Sequence, residues 1–399
     1  MRFLNKILDP ITITQYLVIG GLVSIAVSPP LANLFIALSL IATLSISTLR
    51  NQLLDFFKTK LGYACIAFIL VLLSGFIYGI ETNNVIASSI WGWRKFLMLP
   101  IAAAAFMNAP HAKQNLINSF WFACLILVIY SFFTYLVPSL FTKHAGGVVV
   151  RNYATQGIFF SVAVIISLAN IFNTSIPKWQ RIIYGTSILL FIFNISLIAI
   201  GRSGYAVLIT TTTIFLFTFF KQFSLGKKVI ISSIGLFIAS GLLLTTPMSN
   251  SRINLAKQEF LSGATASNET SIGYRLNFWK NTMEMLPKYF LLGAGSGGFR
   301  KAYAIQVEGQ SQASGIVTGD PHNQYLKILV ENGVLGLAAF LTILILLLKQ
   351  PTSNPFKPIG AASLLAIAIT SLFNSHFSTF NEGQFIWILA GAMFAPEKI

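Results

Sequence analysis

The reactive chemistry of this sequence gathers on a few isolated basic side chains. His322 stands in GDPHNQYLKILVENGVLGL, residues 319–337. Asp320 is a good N-cap and Pro321 suits a first helical position, so the spacing predicts His322 in the first turn of a long apolar helix. A helix N-terminus carries roughly half a positive charge. That charge favours a neutral imidazole, which accepts a proton, and it attracts phosphate. The position suits a general base beside an anionic leaving group. A histidine at the membrane interface, hydrogen-bonded to backbone, is the plainer reading, and the residues alone leave both open.

Arginines stand on the same expected side. Arg202, in AIGRSGYAV, follows the uncharged run SILLFIFNISLIAIG, with no acidic residue nearby in sequence. Placing Arg at membrane depth costs about 2.5–3.5 kcal/mol on insertion scales, so a partner for it is expected. Arg275 lies in SIGYRLNFW and Arg151 in VVVRNYATQG. Guanidinium forks grip phosphate oxygens in pairs, which suits arginines with few acids around them to a pyrophosphate or another polyanion. The alternative is snorkelling to lipid headgroups, the reading adopted for Arg94 and Lys95 beside Trp91 and Trp93. His376, in FNSHFSTFNEGQ, reads as structural, or with Glu382 as lining the same pocket. His111 and His144 receive no role. The run LLGAGSGGFRKAY, 291–303, lacks the Lys-Ser/Thr of a nucleotide loop and reads as a flexible turn, or as a backbone nest for phosphate. Asp320 is the sole aspartate on this side and the glutamates are scattered, so no metal site is expected. The same scarcity excludes an Asp-rich metal-dependent transferase and a Ser-His-Asp hydrolase.

These residues need a scaffold, and composition names its class. The chain has 399 residues, 55% hydrophobic and 10% charged, with a mean hydropathy of +0.74. Soluble domains carry about 25% charge. Apolar windows of bilayer-spanning length predict an all-α polytopic bundle. Twelve transmembrane helices are expected, at about 11–28, 31–48, 62–80, 93–108, 117–137, 155–173, 182–200, 204–220, 228–246, 322–348, 358–375 and 383–396. The fourth is interrupted by Pro100, and Pro29-Pro30 suggests a re-entrant hairpin. The net charge of +16 sorts as a positive-inside bias and requires no nucleic acid partner. With both termini in the cytoplasm, 14 basic residues fall in short inner loops and 5 in outer ones. The first helix is expected to be retained. Residues 1–399 form one membrane domain with one extracytoplasmic insertion, 247–321, in which Tyr274, Phe278 and Met285 share a helical face. Midplane charges are nearly absent, which argues against an ion-coupled transporter. Cys65 and Cys124 read as packing residues.

The segments RSGY at 202–205, YRLNFW at 274–279, LLGAGSGGF at 291–299 and DPHNQYLKILVENGVLGL at 320–337 resemble those of the O-antigen ligase and O-antigen polymerase superfamily. These are bacterial membrane glycosyltransferases with a GT-C-like fold. The resemblance implies transfer, on the periplasmic face of a Gram-negative inner membrane, from an undecaprenyl-pyrophosphate-linked glycan. In ligases the acceptor is a sugar hydroxyl of lipid A–core, a step of lipopolysaccharide biosynthesis. It implies Arg202 and Arg275 on the donor pyrophosphate and His322 as base. Arg151 occupies a looser arginine position of the family. The implied reaction is inverting and uses no metal, nucleotide or other cofactor. An O-antigen polymerase takes a second lipid-linked glycan as acceptor. An O-linked protein oligosaccharyltransferase and a lipid-linked glycan flippase are the remoter readings.

Overall fold

The structure, a computed structural model, describes residues 9–140, 146–220, 271–310 and 315–397, with positions 224, 226 and 254 between them. The expected helix at 228–246, His144, most of the insertion before residue 271, and the side chain of Arg202 lie outside the described residues. Among the described residues every regular element is helical.

Helix starts follow local chemistry. Asp9 caps α1 (Pro10–Ser24) by accepting from the Thr12 N–H at 3.0 Å. Ser28 caps α2 (Pro29–Ser45), with proline in its first turn, so Pro29-Pro30 begins a helix. Helix α3 (Ser47–Phe57) turns 94° away from α2. Thr59 caps α4 (Lys60–Tyr78). The stretch between the spans expected at 31–48 and 62–80 is thus largely helical, with Leu49 and Phe56 buried.

Helix α5 (Asn83–Gly92) precedes the fourth expected span, 93–108, which is not one α-helix but a 3-10 turn (Trp93–Leu97) followed by α6 (Met98–Ala105). The break precedes Pro100, which lies in the first turn of α6, where a missing N–H breaks no ladder bond. Helices α7 (Pro110–Leu136), α8 (Tyr153–Ile171), α9 (Lys178–Phe193, continued by a π turn Asn194–Ile198) and α10 (Arg202–Phe219) follow. Past the undescribed stretch come α11 (Ser271–Tyr289) and α12 (Phe299–Gln306), then α13 (Gln324–Leu348), α14 (Phe356–Thr370) and α15 (Phe380–Met393). Among the described residues five helices are long and apolar enough to cross a membrane, α4, α7, α8, α9 with its π turn, and α13; the bent pair α2–α3 makes up to six. The described chain is that of a multi-pass membrane protein. Cys65 and Cys124 are free and buried, as packing residues are.

Two close approaches set the end of the bundle that matters for chemistry. A Cβ on Gly157 would lie 2.6 Å from the Cα of Gly204, so α8 and α10 touch backbone to backbone near their N-termini. The second is a break in α13. Gly333 has φ 64° and ψ −173°, a region essentially restricted to glycine. The break frees the Val330 carbonyl and the Val334 N–H. Ala294 N–H donates to the former and the Phe290 carbonyl accepts from the latter, each at 2.7 Å. Non-helical backbone at membrane depth is tolerated only when its polar groups are met in this way.

The partner of that break is the glycine run. Gly293, Gly295 and Gly297 all have positive φ. Ser296 Oγ donates to the Leu72 carbonyl of α4 at 2.8 Å, and Ile80 N–H donates to the Ala294 carbonyl at 2.9 Å. The backbone N–H groups of Gly297 and Phe299 face the buried Glu331 carboxylate of α13 as donors. The run expected to be a flexible turn is therefore a packed plug between α4 and the α13 break. The acceptor that its amides meet is the protein's own Glu331 carboxyl group.

Candidate functional site

His322 does not lie in the first turn of α13. Helix α13 begins at Gln324, and its cap is Asn323, whose side chain accepts from the Tyr325 and Leu326 N–H groups at 3.0 and 3.1 Å. Asp320 instead accepts the His322 N–H at 2.8 Å through Oδ1. His322 takes a left-handed φ of 53°. Two residues competed for one cap. Asn323 wins it because the chain turns at His322, and this places the imidazole just ahead of the helix rather than inside it.

Helix α11 of the insertion packs onto this turn. Trp279 Nε1 donates to the Pro321 carbonyl at 2.9 Å. Phe278 stacks on the His322 ring, with centroids 6.2 Å apart and planes 23° apart, and Tyr274 stacks on Phe278 one turn away. Phe278 and Met285 are buried in a cluster against which Tyr274 packs, so the expected amphipathic face is real. Because Tyr274, Arg275 and Phe278 lie within one turn of the same helix, Arg275 falls beside this aromatic row. Tyr274, Arg275, Phe278, Ile316 and His322 line one open cavity of about 480 Å³. The structure thus brings together Arg275 and His322.

Arg202 is the first residue of α10, which begins two residues ahead of the span expected at 204–220. Its N-cap neighbour Gly201 lies against Tyr153, where an added Cβ would sit 2.9 Å from the Tyr153 Cβ. The Arg202 backbone is therefore adjacent to the segment carrying Arg151. Arg151, with φ 30°, lies 3.7 Å from Glu382. Glu382 is buried and accepts from Thr155 Oγ1 and Thr379 Oγ1. These contacts join the N-terminal ends of α8 and α15 at the end of the bundle where α10 begins.

His376 does not line the cavity. It is 3% exposed, and its Nε2 has no hydrogen-bond partner among the described residues. Burial pushes the imidazole below its usual range, against the opposing pull of the Glu382 and Asp320 carboxylates. Its neighbour Ser375 donates to Asp320 Oδ1 at 2.7 Å. The α14–α15 turn thereby bridges the Glu382 contacts and the His322 turn.

The sequence reads Lys95 as snorkelling to headgroups, and the structure corrects that. Lys95 is 6% exposed and donates to the carbonyls of Ser378 and Thr379, the latter at 2.8 Å, so it clamps the same α14–α15 turn. Those partners lie more than 280 residues away, and no local pattern announces them. The Arg94 guanidinium lies 5.0 Å above the Trp91 ring. Among the described residues no three His, Cys, Asp or Glu side chains gather to hold a metal ion.

A family model described as O-antigen ligase matches residues 16–341. An uncharacterized protein of Haemophilus influenzae is 28% identical over 227 residues, 54% of this chain and 55% of that protein. The match spans about half the length of that relative. The matched region of the family model runs from α1 to the middle of α13 and includes the cavity, its arginine and its histidine. The chain belongs to the O-antigen ligase family.

Proposed function

We propose that this protein is an O-antigen ligase of a Gram-negative inner membrane, with both termini cytoplasmic and its site on the periplasmic face. It moves a glycan from undecaprenyl pyrophosphate to a sugar hydroxyl of lipid A–core. The observation that carries this reading is the shared cavity of Arg275 and His322, because an anion-gripping group and a proton acceptor must reach one reacting centre.

The chemistry balances without further groups. His322 takes the proton of the acceptor hydroxyl as its oxygen attacks the anomeric carbon. The new C–O bond forms while the bond to the phosphate oxygen breaks, and the pyrophosphate leaves with that electron pair. In this reading Arg275, together with Arg202 and Arg151, meets the charge that grows on the leaving group. Donors already in place are worth most where charge develops in the transition state. Attack opposite the leaving group inverts the anomeric centre.

The test is transfer by purified protein from a lipid-linked glycan to lipid A–core. His322→Ala should lose about 10²–10⁴-fold in rate, the usual contribution of a positioned general base. Wild-type transfer by that variant would end the base assignment. A deletion strain separates the two family activities. Polymer absent from lipid A–core but accumulating on its lipid carrier marks a ligase, and cores capped with single repeat units mark a polymerase.

A further inference from the structure

We infer that Asp320 is the positioning residue of the proposed base, holding the His322 backbone in its left-handed turn and tying it to the α14–α15 turn through a single carboxylate oxygen. The inference rests on the base reading of His322. One atom, Asp320 Oδ1, accepts two hydrogen bonds, from the His322 N–H at 2.8 Å and from Ser375 Oγ at 2.7 Å. These arrive from segments on either side of α13, and Ser375 stands 55 residues from Asp320 in sequence.

The need for such a device follows from the backbone. A non-glycine residue at φ 53° is held against the preference of L-residues for negative φ. A strained residue persists only where its surroundings over-determine it. Three contacts do so at His322. The Asp320 bond fixes its N–H, the Asn323 cap fixes the next residue, and Trp279 Nε1 holds the preceding carbonyl of Pro321 at 2.9 Å. The first also reaches the α14–α15 turn, where Ser375 is buried, and there it acts beside the Gln324 N–H, which donates to the Ser371 and Asn374 carbonyls at 2.9 and 3.2 Å. Asp320 therefore joins the strained His322 backbone itself to the α14–α15 turn, while α11 sets where Arg275 stands relative to the imidazole. Both bonds need an acceptor oxygen at that point, which an amide side chain also supplies.

An asparagine at this position keeps such an oxygen and an alanine removes it, which gives the test. In Asp320→Ala the transfer rate should fall about a hundredfold, the scale of a misplaced reacting group, with KM for the lipid-linked donor unchanged because the Arg275 wall is intact. Asp320→Asn should restore the rate. Amide hydrogen exchange of the peptide covering 318–324 should speed up in Asp320→Ala and stay at the wild-type level in Asp320→Asn. That readout does not depend on catalysis, so it stands even if His322→Ala were to remain active. Where Asp320→Ala fails to fold, Ser375→Ala removes one of the two bonds and should lower the rate with KM unchanged. Wild-type rate and exchange in Asp320→Ala, or in Ser375→Ala as its substitute, would overturn the inference. An Asp320→Asn variant as impaired as the alanine would overturn it too, since the charge and not the acceptor geometry would then matter.

Discussion

Gly333→Ala is the sharpest perturbation the fold offers. The residue sits at φ 64° and ψ −173° within α13, where any side chain costs about 1–3 kcal/mol in backbone strain. The added Cβ would also stand 2.2 Å from the Leu291 carbonyl oxygen, so the glycine plug must move. Moving it breaks two bonds, Ala294 N–H to the Val330 carbonyl and Val334 N–H to the Phe290 carbonyl, worth about 1 kcal/mol each. The expected loss is about 3–5 kcal/mol, the strain and the two bonds taken together. The consequence reaches the site, because Phe290 directly follows α11, which carries Arg275, and α13 begins beside His322. Unfolding in mixed detergent, followed by tryptophan fluorescence, measures the stability, and the transfer assay measures the site. Gly185→Ala is the control, since an added Cβ there meets nothing within 4 Å and alanine favours a helix. If Gly333→Ala matched wild type in both stability and transfer, the plug would not be holding the two halves of the cavity together.

Other perturbations separate charge, geometry and burial. Arg275→Lys keeps the charge and loses the fork. It should cost about 1.5–3 kcal/mol, roughly ten- to a hundredfold in transfer rate, and an unchanged rate would remove Arg275 from the pyrophosphate. Glu397→Gln leaves Lys113, wholly buried, without the carboxylate that it meets at 2.6 Å. Breaking a buried pair on one side should destabilise by about 3 kcal/mol, seen as a lower midpoint in the same detergent titration. His376 supplies a pH test. Its folded pKa lies below the ordinary value of 6.5 because burial outweighs Glu382 and Asp320, so the unfolded chain takes up the proton first. Stability should be full above about pH 6.5 and fall as the pH drops towards the folded value. His376→Gln should flatten that slope, and an identical slope in the variant would show that another group titrates.

What the sequence conveyed and what it withheld divide along a physical line. Apolar windows marked α4, α7, α8, α9 and α13, because membrane burial writes itself into composition. The aromatic face of α11 was legible at helical spacing, and so were the arginine and histidine that share the cavity. The cap of α13 was misread because Asp320 and Asn323 both suit it, and the decision lies with Ser375, 55 residues away from Asp320. Lys95 looked interfacial beside two tryptophans, yet its partners are carbonyls in a turn near the other end of the chain. The glycine run looked flexible because its positive φ values read as freedom. They are instead the shape needed to fill a helix break at Gly333 and to meet Glu331.

That break explains why two distant motifs belong to one site. A continuous α13 would leave the insertion no backbone groups to dock on within the bundle. Its break exposes one carbonyl and one N–H, and the glycine plug answers both while its amides face Glu331. The plug stands between α11, which brings Arg275, and α12, so the insertion enters the bundle at a fixed height on α13. From there Trp279 reaches the Pro321 carbonyl and Phe278 reaches the His322 ring. On this account LLGAGSGGF and ENGVLG are two halves of one joint, and neither touches the cavity. Their substitution should therefore alter both ends of the proposed reaction together, pyrophosphate grip and proton removal, whereas changes at Arg275 or His322 should each alter one.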